Sequence, residues 1–380
     1  MHILMVRSAL VDMGPGTQPL ALALELRNRG HRVSFATSGG VFAPEVEKRG
    51  FKVFVIPALA PDRHDVGSLV EGALALRRVI RDEKIDVLHG HNAAATLYGW
   101  LGGMLTGRFL PAATSVRGVE ERDSHQRRNR IWRLLPGTLI AVCEKARERL
   151  VGFGVPTDRI IVSYNGVDLG KFNADSAERE AVRAELGLKD ETVVATVGAM
   201  VGGSDWKGPS KGQDLLVQAL AQLRDRLPAL RVMLVGDGDM RPHVEETARR
   251  LGVTDRVLFL GRRFDVARLL TAADIYCLPS VAGEFFPNSI VEAMAMGKPW
   301  IGSDIAGLGE LTADGGAGLL VKIGDVDDLA RRICELATND TLRAQMGRRA
   351  RVEVEQRFTI VQVVDRVVAA YARAGAAVSV

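Results

Sequence analysis

The sequence predicts an α/β protein with two doubly wound parallel sheets. Short apolar segments alternate with longer segments of helical periodicity, which is the order of strands and crossover helices in a parallel sheet. The alternation runs from residue 2 to about residue 163, is interrupted by a polar stretch, and starts again at residue 192. With 380 residues, the chain is also long enough for two domains of ordinary size.

The first half begins with a strand over residues 2–7, a loop over residues 12–16 and a helix that ends near Gly30. Short apolar runs favour buried strands over residues 32–36, 52–56, 86–89, 112–116, 138–142 and 160–163. Helices are expected near residues 69–82 and 92–105. We therefore assign residues 1–168 to the first domain and residues 169–190 to a linker.

The second half repeats this pattern over residues 191–360, which form the second predicted domain. Strands are expected over residues 192–197, 231–235, 256–260 and 274–278, and helices over residues 212–226, 241–251 and 265–272. A further helix starts at residues 287–289, where proline and a capping residue suit a first turn, and ends at Gly297. The last two helices are predicted over residues 325–337 and 340–374.

Composition excludes several classes of protein. A hydrophobic fraction of 47% with 25% charged residues is that of a soluble globular protein, and no apolar run approaches the roughly 18 residues of a membrane span. The three cysteines show no metal-ligand spacing, which favours small buried side chains in a reducing compartment. The N-terminal segment is too short and becomes charged too soon for a signal peptide, so we expect a cytoplasmic protein.

Positive charge is concentrated in the first half. Residues 1–165 hold 23 Lys and Arg against 16 Asp and Glu, a net +7, whereas the remainder holds 27 against 30, a net −3, which together give +4. Residues 122–135 are dense in arginine and carry Trp132 beside leucines. This segment predicts contact with an anionic membrane, or else a solvated arginine face over ordinary core residues. Nucleic acid is not expected as a partner, because the arginines are interleaved with acids and lack stacking aromatics.

Two glutamates flank the start of the helix near residue 288. Glu284 lies in the loop after the strand over residues 274–278, and Glu292 lies just inside the helix. Helical side chains lean toward the N-terminus, so both carboxylates should face one crevice, beside the free N–H groups of the helix start. Carboxylates bind hydroxyls and a helix start binds phosphate, which together suit a sugar nucleotide. The alternative is that Glu292 only complements the helix dipole and Glu284 is a solvated loop residue.

Residues 284–299, Glu-Phe-Phe-Pro-Asn-Ser-Ile-Val-Glu-Ala-Met-Ala-Met-Gly-Lys-Pro, closely resemble the E-x7-E signature of retaining glycosyltransferases of family 4. The resemblance implies the GT-B fold, with two Rossmann-like domains facing each other across a cleft and the final helix, residues 361–380, returning toward the first domain. It also implies a nucleotide-sugar donor, usually a UDP-sugar, bound mainly by the second domain. Glu284 would bind sugar hydroxyls at the reacting centre and Glu292 the ribose. The other donor contacts implied by this segment are Phe286, Asn288, Ser289 and Ile290.

Other segments resemble the family's donor-phosphate loops. Gly14 and Gly16 match the first-domain loop in which glycine lets the backbone approach the donor phosphate, although a plain turn is the alternative. Lys211 matches the family's phosphate-binding lysine, whereas Ala199 stands where an arginine is usual. Lys207 is therefore a candidate for the second positive charge, or else a solvated loop lysine.

Two further features bear on the nucleobase and on metal ions. Arg262 and Arg263 follow a strand, in the segment that cradles the nucleobase in the family. Asp237 and Asp239 form a D-x-D pair, but their glycine turn favours turn residues rather than metal ligands. We therefore expect no essential metal ion and no cofactor, since the nucleotide-sugar is a substrate.

The acceptor side is expected at the strand ends of the first domain. His91 follows one strand and Arg117 follows the next. The family often has a histidine near the reacting sugar where Arg117 stands. Arginine stays protonated and cannot act as a general base, so Arg117 would make charge-assisted contacts to phosphate or to the acceptor. His91 would contact the acceptor or the donor, or else be a hydrogen-bonded structural histidine.

The resemblance therefore implies a retaining hexosyltransferase that moves a sugar from a nucleotide-sugar to a polysaccharide, glycolipid or lipid-linked acceptor. Its expected place is the cytoplasm, with peripheral attachment to the inner face of the cell membrane through residues 122–135. The alternatives are a glycoside hydrolase that uses the two carboxylates and needs no nucleotide, and a sugar-nucleotide epimerase of similar fold that needs no acceptor.

Overall fold

The computed structural model describes residues 1–10, 14–63, 65–118, 130–174, 178–203, 206–282 and 284–377. The chain divides into two compact units. Unit 1 consists of Met1–Gly166 and Ile360–Val380, and unit 2 consists of Val167–Thr359. Each unit is built on a parallel sheet with helical crossovers, which confirms the predicted α/β class.

The strands of unit 1 are β1 (His2–Val6), β2 (Arg32–Thr37), β3 (Lys52–Val55), β4 (Val87–Gly90), β5 (Ala112–Val116), β6 (Thr138–Ala141) and β7 (Ile160–Val162). They pair in parallel in the order β3-β2-β1-β4-β5-β6-β7. The helices between them are α1 (Gly14–Asn28), α2 (Ala43–Lys48), α3 (Val66–Asp82), α4 (Ala93–Met104), α5 (Ile131–Leu134) and α6 (Glu144–Gly152). Two apolar cores form, one with α1 and the last helix of the chain, the other with α3 and α4.

The strands of unit 2 are β8 (Thr192–Val197), β9 (Gly202–Gly203), β10 (Trp206–Pro209), β11 (Leu230–Val235), β12 (Val257–Phe259), β13 (Ile275–Leu278), β14 (Trp300–Ser303) and β15 (Gly318–Val321). Six of them pair in parallel in the order β12-β11-β8-β13-β14-β15, and β9 with β10 forms a separate antiparallel ribbon. The helices are α7 (Arg179–Glu185), α8 (Gln213–Leu223), α9 (Arg241–Arg250), α10 (Val266–Ala272), α11 (Asn288–Ala295), α12 (Val326–Ala337) and α13 (Asp340–Arg357). The last helix, in unit 1, is α14 (Ile360–Arg373).

The single helix predicted over residues 340–374 is wrong, because the chain breaks at Phe358 into α13 and α14. Phe358 is fully buried, and its ring packs edge-to-face on Phe286 with the ring centroids 5.4 Å apart. Its carbonyl oxygen accepts a hydrogen bond from Val167 N at 2.9 Å. A helix would direct that carbonyl to the residue four positions later, so this tertiary contact ends α13.

Two other predicted segments are placed differently in the structure. α1 begins at Gly14, so Gly14 and Gly16 lie in the first turn of a helix rather than in a loop. The predicted loop spans residues 12–16, and its first two residues, 12 and 13, lie outside the described residues. Residues 169–190 belong to unit 2 and include α7, where the buried Arg183 donates to the carbonyl oxygens of Ala272 and Glu191 at 3.0 and 2.7 Å. The described part of this segment from α7 onward is therefore packed into the unit and is not a free linker.

Close packing continues through the sheet of unit 2. Trp300 is fully buried, and a Cβ added at Gly318 on the neighbouring strand would lie 2.0 Å from its ring.

The three cysteines are buried and unpaired, as their spacing predicts. Within the described parts of the chain, no helix combines the length and apolar character that crossing a bilayer requires.

Candidate active site

The loop after β13 carries Glu284 in a buried position. The chain passes through Pro279 and Ser280 to Glu284, whose exposed fraction is 5%. Lys211 Nζ forms a charge-assisted hydrogen bond with Glu284 Oε1, and Ser280 Oγ donates to the same oxygen at 3.2 Å. The structure thus joins two of the predicted donor-binding residues as an ion pair.

The position of Lys211 depends on the backbone of Gly212. Gly212 has a φ of 69° at the start of α8, a left-handed conformation that favours glycine. A Cβ at Gly212 would lie 2.1 Å from the carbonyl oxygen of Pro279. The connection between β10 and α8 therefore packs directly on the loop after β13, and this contact brings Lys211 to Glu284.

Glu292 lies in α11 with a poorly solvated carboxyl group. The residue keeps partial exposure at the surface of unit 2, yet desolvation of the carboxyl raises the pKa of Glu292 to about 7. The positive charge of Lys171 opposes this rise. Hydrogen-bond donors that reach the carboxyl, such as hydroxyl groups, would favour its ionised form. Sequence reasoning assigned no role to Lys171, because its nearness to Glu292 arises only in the folded chain.

Tyr276, on β13, is a further member of this site that the sequence analysis missed. Its side chain is fully buried, and its hydroxyl lies 3.3 Å from both the backbone nitrogen and the carbonyl oxygen of Val197 and bonds with the Ser289 side chain. Burial raises the pKa of Tyr276, and the negative charges of Glu292 and Glu284 add to the rise. One phenol hydroxyl is therefore close to both glutamates. A tyrosine inside an apolar strand is a signal of such a site, because its buried hydroxyl needs a partner.

The start of α11 supplies backbone donors beside the glutamates. Pro287 occupies the N-cap position of the helix and makes no side-chain capping hydrogen bond. The N–H groups of Asn288, Ser289 and Ile290 belong to this turn, whose donors have no acceptor within the helix. Ile290 is fully buried in the core, so it can contribute only through its backbone. Such a helix start favours anions through its N–H groups and its dipole.

The predicted nucleobase arginines follow β12. Arg263 is held by Asp265, with Nη2 2.6 Å from its carboxylate, and lies 3.8 Å from Glu185 on α7. These negative charges raise the pKa of Arg263, the Asp265 hydrogen bond being the largest cause. Arg262 is exposed. The Arg263 guanidinium therefore supports the loop, and any contact with a nucleobase from this segment falls to its backbone and to Arg262.

Two other predicted donor residues occupy different surroundings. Phe286 is buried against Phe358, so its side chain packs in the interior of unit 2. Any donor contact by Phe286 would therefore come from its backbone, and its assignment as a donor-binding residue stays a prediction. Lys207 is exposed on β10, in the two-stranded ribbon.

The predicted residues of the first domain follow adjacent strands of unit 1. Arg7, His91 and Arg117 come directly after β1, β4 and β5, which are neighbours in the sheet. Arg117 Nη1 donates to Asn165 Oδ1 at 2.7 Å. His91 is 5% exposed and stacks on His89, with the ring centroids 4.4 Å apart. The structure thus brings His91 and Arg117 to one edge and adds Arg7 and Asn165, which the sequence did not assign to the site.

Burial is the largest cause of the pKa shifts of the side chains at this edge of the sheet. It lowers the pKa of Arg117 to about 9, with the positive charge of Arg7 adding to the effect, and it lowers the pKa of Arg7 to about 10. Burial also places the pKa of His91 well below its usual value, and the charges of His89, Arg117 and Arg7 act in the same direction. At neutral pH both arginines are therefore cationic and the His91 imidazole is neutral.

Metal ligands and the arginine-rich segment complete the predicted features. Within the described residues, no group of three or more His, Cys, Asp and Glu side chains is arranged to hold a metal ion. Asp237 Oδ1 accepts from Gly238 N at 2.9 Å, as turn residues do. Of the predicted membrane segment, residues 122–129 lie outside the described residues, whereas Ile131–Leu134 forms α5 with Leu134 exposed.

The fold of the two parallel α/β units resembles those of solved structures. The Anabaena protein HepE, crystallised in complex with UDP and glucose, is 24% identical with a TM-score of 0.83, covering 97% of this chain and 99% of its own. A glycosyltransferase from Rickettsia africae is 19% identical with a TM-score of 0.82, covering 98% of both chains. The protein therefore has the GT-B glycosyltransferase fold.

Sequence comparisons give the family. The model for "Glycosyltransferase Family 4" matches residues 14–171, and the model for "Glycosyl transferases group 1" matches residues 193–339. D-inositol 3-phosphate glycosyltransferase of Nocardia farcinica is 36% identical over 372 residues, which cover 89% of this chain and 80% of that protein. Phosphatidyl-myo-inositol mannosyltransferase of Mycolicibacterium smegmatis is 30% identical, with 94% and 90% covered. The chain belongs to glycosyltransferase family 4, as residues 284–299 predict, and is a glycosyltransferase.

Proposed function

We propose that the protein is a retaining glycosyltransferase that moves a hexosyl group from a UDP-sugar to a hydroxyl of a glycan, glycolipid or lipid-linked acceptor. The observation that carries the proposal is the convergence of Lys211, Glu284 and Glu292 beside the start of α11. The relatives support it, since they are named for glycosyl transfer to inositol phosphate and to phosphatidylinositol. HepE, which shares the fold, was crystallised with UDP and glucose.

Each group at this site has a part of the donor that it would bind. The ionised Glu292 carboxylate would accept hydrogen bonds from the ribose hydroxyls, and Glu284 from the hydroxyls of the sugar. Lys211 and the N–H groups of the α11 start would bind the diphosphate. Because Lys211 is paired with Glu284, the lysine that neutralises the diphosphate and the carboxylate that orients the sugar lie next to each other.

The proposed mechanism of transfer can be derived from where negative charge develops during the reaction. The bond between the anomeric carbon and the diphosphate oxygen breaks, and the diphosphate leaves with the electron pair. The acceptor oxygen attacks the same face of the sugar, which retains the configuration, and its proton passes to the departing phosphate. Lys211 and the α11 N–H groups stabilise the negative charge on the leaving group. These donors take the place of a metal ion, so we propose that transfer continues in excess EDTA.

The acceptor would bind at the strand ends of unit 1, where His91 and Arg117 lie. His91 is neutral, and its imidazole offers one hydrogen-bond donor and one acceptor to a hydroxyl group. Arg117 stays cationic and would position the acceptor rather than remove its proton.

The hydrolase and epimerase alternatives require different substrates from a glycosyltransferase. A hydrolase would release sugar from simple glycosides without a nucleotide, and an epimerase would change the donor without an acceptor. Membership of a glycosyltransferase family gives no support to a hydrolase.

We also propose that residues 122–135 attach the protein to an anionic membrane surface. The exposed Leu134 and the nearby Trp132 and Arg133 support this proposal. Sedimentation with vesicles that contain phosphatidylglycerol should exceed sedimentation with phosphatidylcholine vesicles, and equal sedimentation would count against membrane attachment.

Thermal stabilisation by a panel of nucleotide-sugars tests the donor class, because a ligand that binds the native state raises the Tm. We expect UDP-sugars to raise it more than GDP- or ADP-sugars. NMR of the product formed with the stabilising donor then gives the anomeric configuration. An inverted product, or equal release of sugar with and without acceptor, would contradict a retaining transferase.

A further inference from the structure

The strand register of unit 1 places several polar side chains on one face of the sheet. Val6 on β1 pairs with Gly90 on β4, and Gly90 pairs with Thr114 on β5. Val116 on β5 pairs with Ala141 on β6, and Ala141 pairs with Val162 on β7. Arg7 is therefore level with His91, and Arg117 is level with Ser163. Side chains two residues apart on a strand share a face, so Arg7, His91, Arg117 and Ser163 all project from the same face at the carboxyl edge. We call these four residues the unit 1 edge cluster.

The two uncharged members of the edge cluster have polar atoms without partners among the described residues. His91 is 5% exposed, and neither ring nitrogen has a hydrogen-bond partner among the described residues. Ser163 is also 5% exposed, and its Oγ has no partner there either. Buried polar groups are normally hydrogen-bonded, and an unsatisfied one indicates a missing ligand or water. By contrast, the neighbouring His89 is fully satisfied, by Tyr371 Oη at 2.7 Å and Ser115 Oγ at 2.8 Å.

Arg117 also lacks a partner of opposite charge among the described residues. The only side chain that Arg117 contacts by a hydrogen bond in the described chain is Asn165, which is neutral, and its Nε has no partner there. The positive charge of Arg7 is close enough to oppose that of Arg117 and lower its pKa, after the larger effect of burial. A buried cation held by a neutral amide beside a second cation gains most from an anion with several acceptor oxygens.

We propose that the edge cluster is an anion site, and that it binds a phosphate or carboxylate group carried by the acceptor. Arg117 and Arg7 bind the anionic oxygens, Ser163 donates its hydroxyl, and His91 contacts a hydroxyl beside the anionic group. This inference rests on the proposed glycosyl transfer and names the class of acceptor: an anionic alcohol rather than a neutral sugar. The phosphate could belong to a soluble ester or to a lipid headgroup, because the oxygens that the cluster contacts are the same.

The first experiment measures binding of inorganic phosphate and of acetate to the full-length protein saturated with UDP. Saturation with UDP fills the donor site, so phosphate added afterwards reports a second site. We expect phosphate to bind, and Arg117→Gln to weaken it at least about tenfold while the Kd of UDP changes less than about twofold. The control is Arg108→Gln, which removes one exposed charge from the same unit and should leave both constants unchanged.

A second variant keeps the test independent of folding. Ser163→Ala removes a hydroxyl that has no partner in the described chain, so it breaks no contact of the fold. We expect it to weaken phosphate binding about threefold or more without lowering the Tm. Equal phosphate binding by the wild type, Arg117→Gln and Ser163→Ala would overturn the proposal, as would a loss of UDP binding that parallels the loss of phosphate binding.

The second experiment compares kcat/KM for matched acceptors: glycerol with glycerol 3-phosphate, and vesicles of diacylglycerol with vesicles of phosphatidylglycerol. Preference for glycerol 3-phosphate assigns the site to soluble esters, and preference for phosphatidylglycerol assigns it to lipid headgroups. Equal use of neutral and anionic members contradicts the proposal; if none of the four is a substrate, the binding experiment decides. Failure of UDP to bind would instead refute the proposed glycosyl transfer, so the two failures are distinguishable.

Discussion

Replacing Glu292 with glutamine should make unit 2 more stable and at the same time weaken donor binding. Desolvation raises the pKa of this carboxyl from 4.5 to about 7, so the folded state resists its ionisation. Glutamine has nearly the same shape and carries no charge. The substitution therefore removes the cost of a poorly solvated carboxylate, and with it the acceptor that we assign to the ribose hydroxyls.

The magnitude follows from the difference between the two pKa values. At about 1.36 kcal/mol per pH unit, it corresponds to about 3 to 4 kcal/mol in the absence of screening by water. The residue is partly exposed and water reduces the cost, so we expect about 2 kcal/mol. A carboxyl whose folded-state pKa is raised ionises first in the unfolded chain, and stability is therefore lost as the pH rises from 4.5 to about 7. The gain from Glu292→Gln should be full at about pH 8 and absent below about pH 4.

Urea unfolding of the wild type and Glu292→Gln at about pH 4, 6 and 8 measures this difference. Glu245→Gln is a matched control, because Glu245 is an exposed helical glutamate of the same unit and its replacement should change stability by less than about 0.5 kcal/mol. Calorimetric titration with UDP-glucose should show a Kd that is about 10- to 150-fold higher for Glu292→Gln, the value of a hydrogen bond to a charged group. Equal or lower stability at about pH 8, or unchanged donor affinity, would refute the reasoning.

Three further predictions concern the other parts of the account. Lys211→Gln should raise the Kd of UDP at least about tenfold, whereas Lys207→Gln, at an exposed position, should change it less than about twofold; an unchanged Kd for Lys211→Gln in titration would contradict the assignment of Lys211, and a rise of about tenfold for Lys207→Gln would show that Lys207 also binds the phosphates. Gly212→Ala should lower the Tm and abolish transfer, because the added Cβ would lie 2.1 Å from Pro279 O at a φ of 69°; a melting curve and an activity like the wild type's would show that Lys211 does not depend on this contact. Asn165→Ala should lower the acceptor kcat/KM about tenfold with an unchanged Kd for UDP, because Arg117 loses its partner; a change confined to UDP binding would place Arg117 at the donor instead.

The site features that could be predicted from sequence are those fixed by local structure. A short apolar strand followed by Pro279, and a helix that starts after Pro287, determine where Glu284 and Glu292 lie, and both elements form as predicted. Tyr276 and Lys171 were missed because their partners come from other segments of the chain. The hydroxyl of Tyr276 meets Val197, and Lys171 approaches Glu292, only when unit 2 has folded.

Tertiary contacts also explain where the sequence misled. The helical pattern over residues 340–374 contains no proline, and its local sign of a break is the capping-box spacing of Thr359 and Gln362. The break follows from burial of Phe358 against Phe286 and from its carbonyl bond with Val167. In unit 1, the sequence placed His91 and Arg117 at strand ends, but only the strand register shows that Arg7 and Ser163 share their face.

The central claim is that the carboxylates after β13 and in α11, together with the α11 start, hold the nucleotide of the donor. A crystal structure of the protein with UDP tests it most directly. We expect the ribose hydroxyls within hydrogen-bond distance of the Glu292 carboxylate, and the diphosphate against Lys211 and the first turn of α11. A nucleotide bound with its ribose away from Glu292 and its phosphates away from α11 would contradict it.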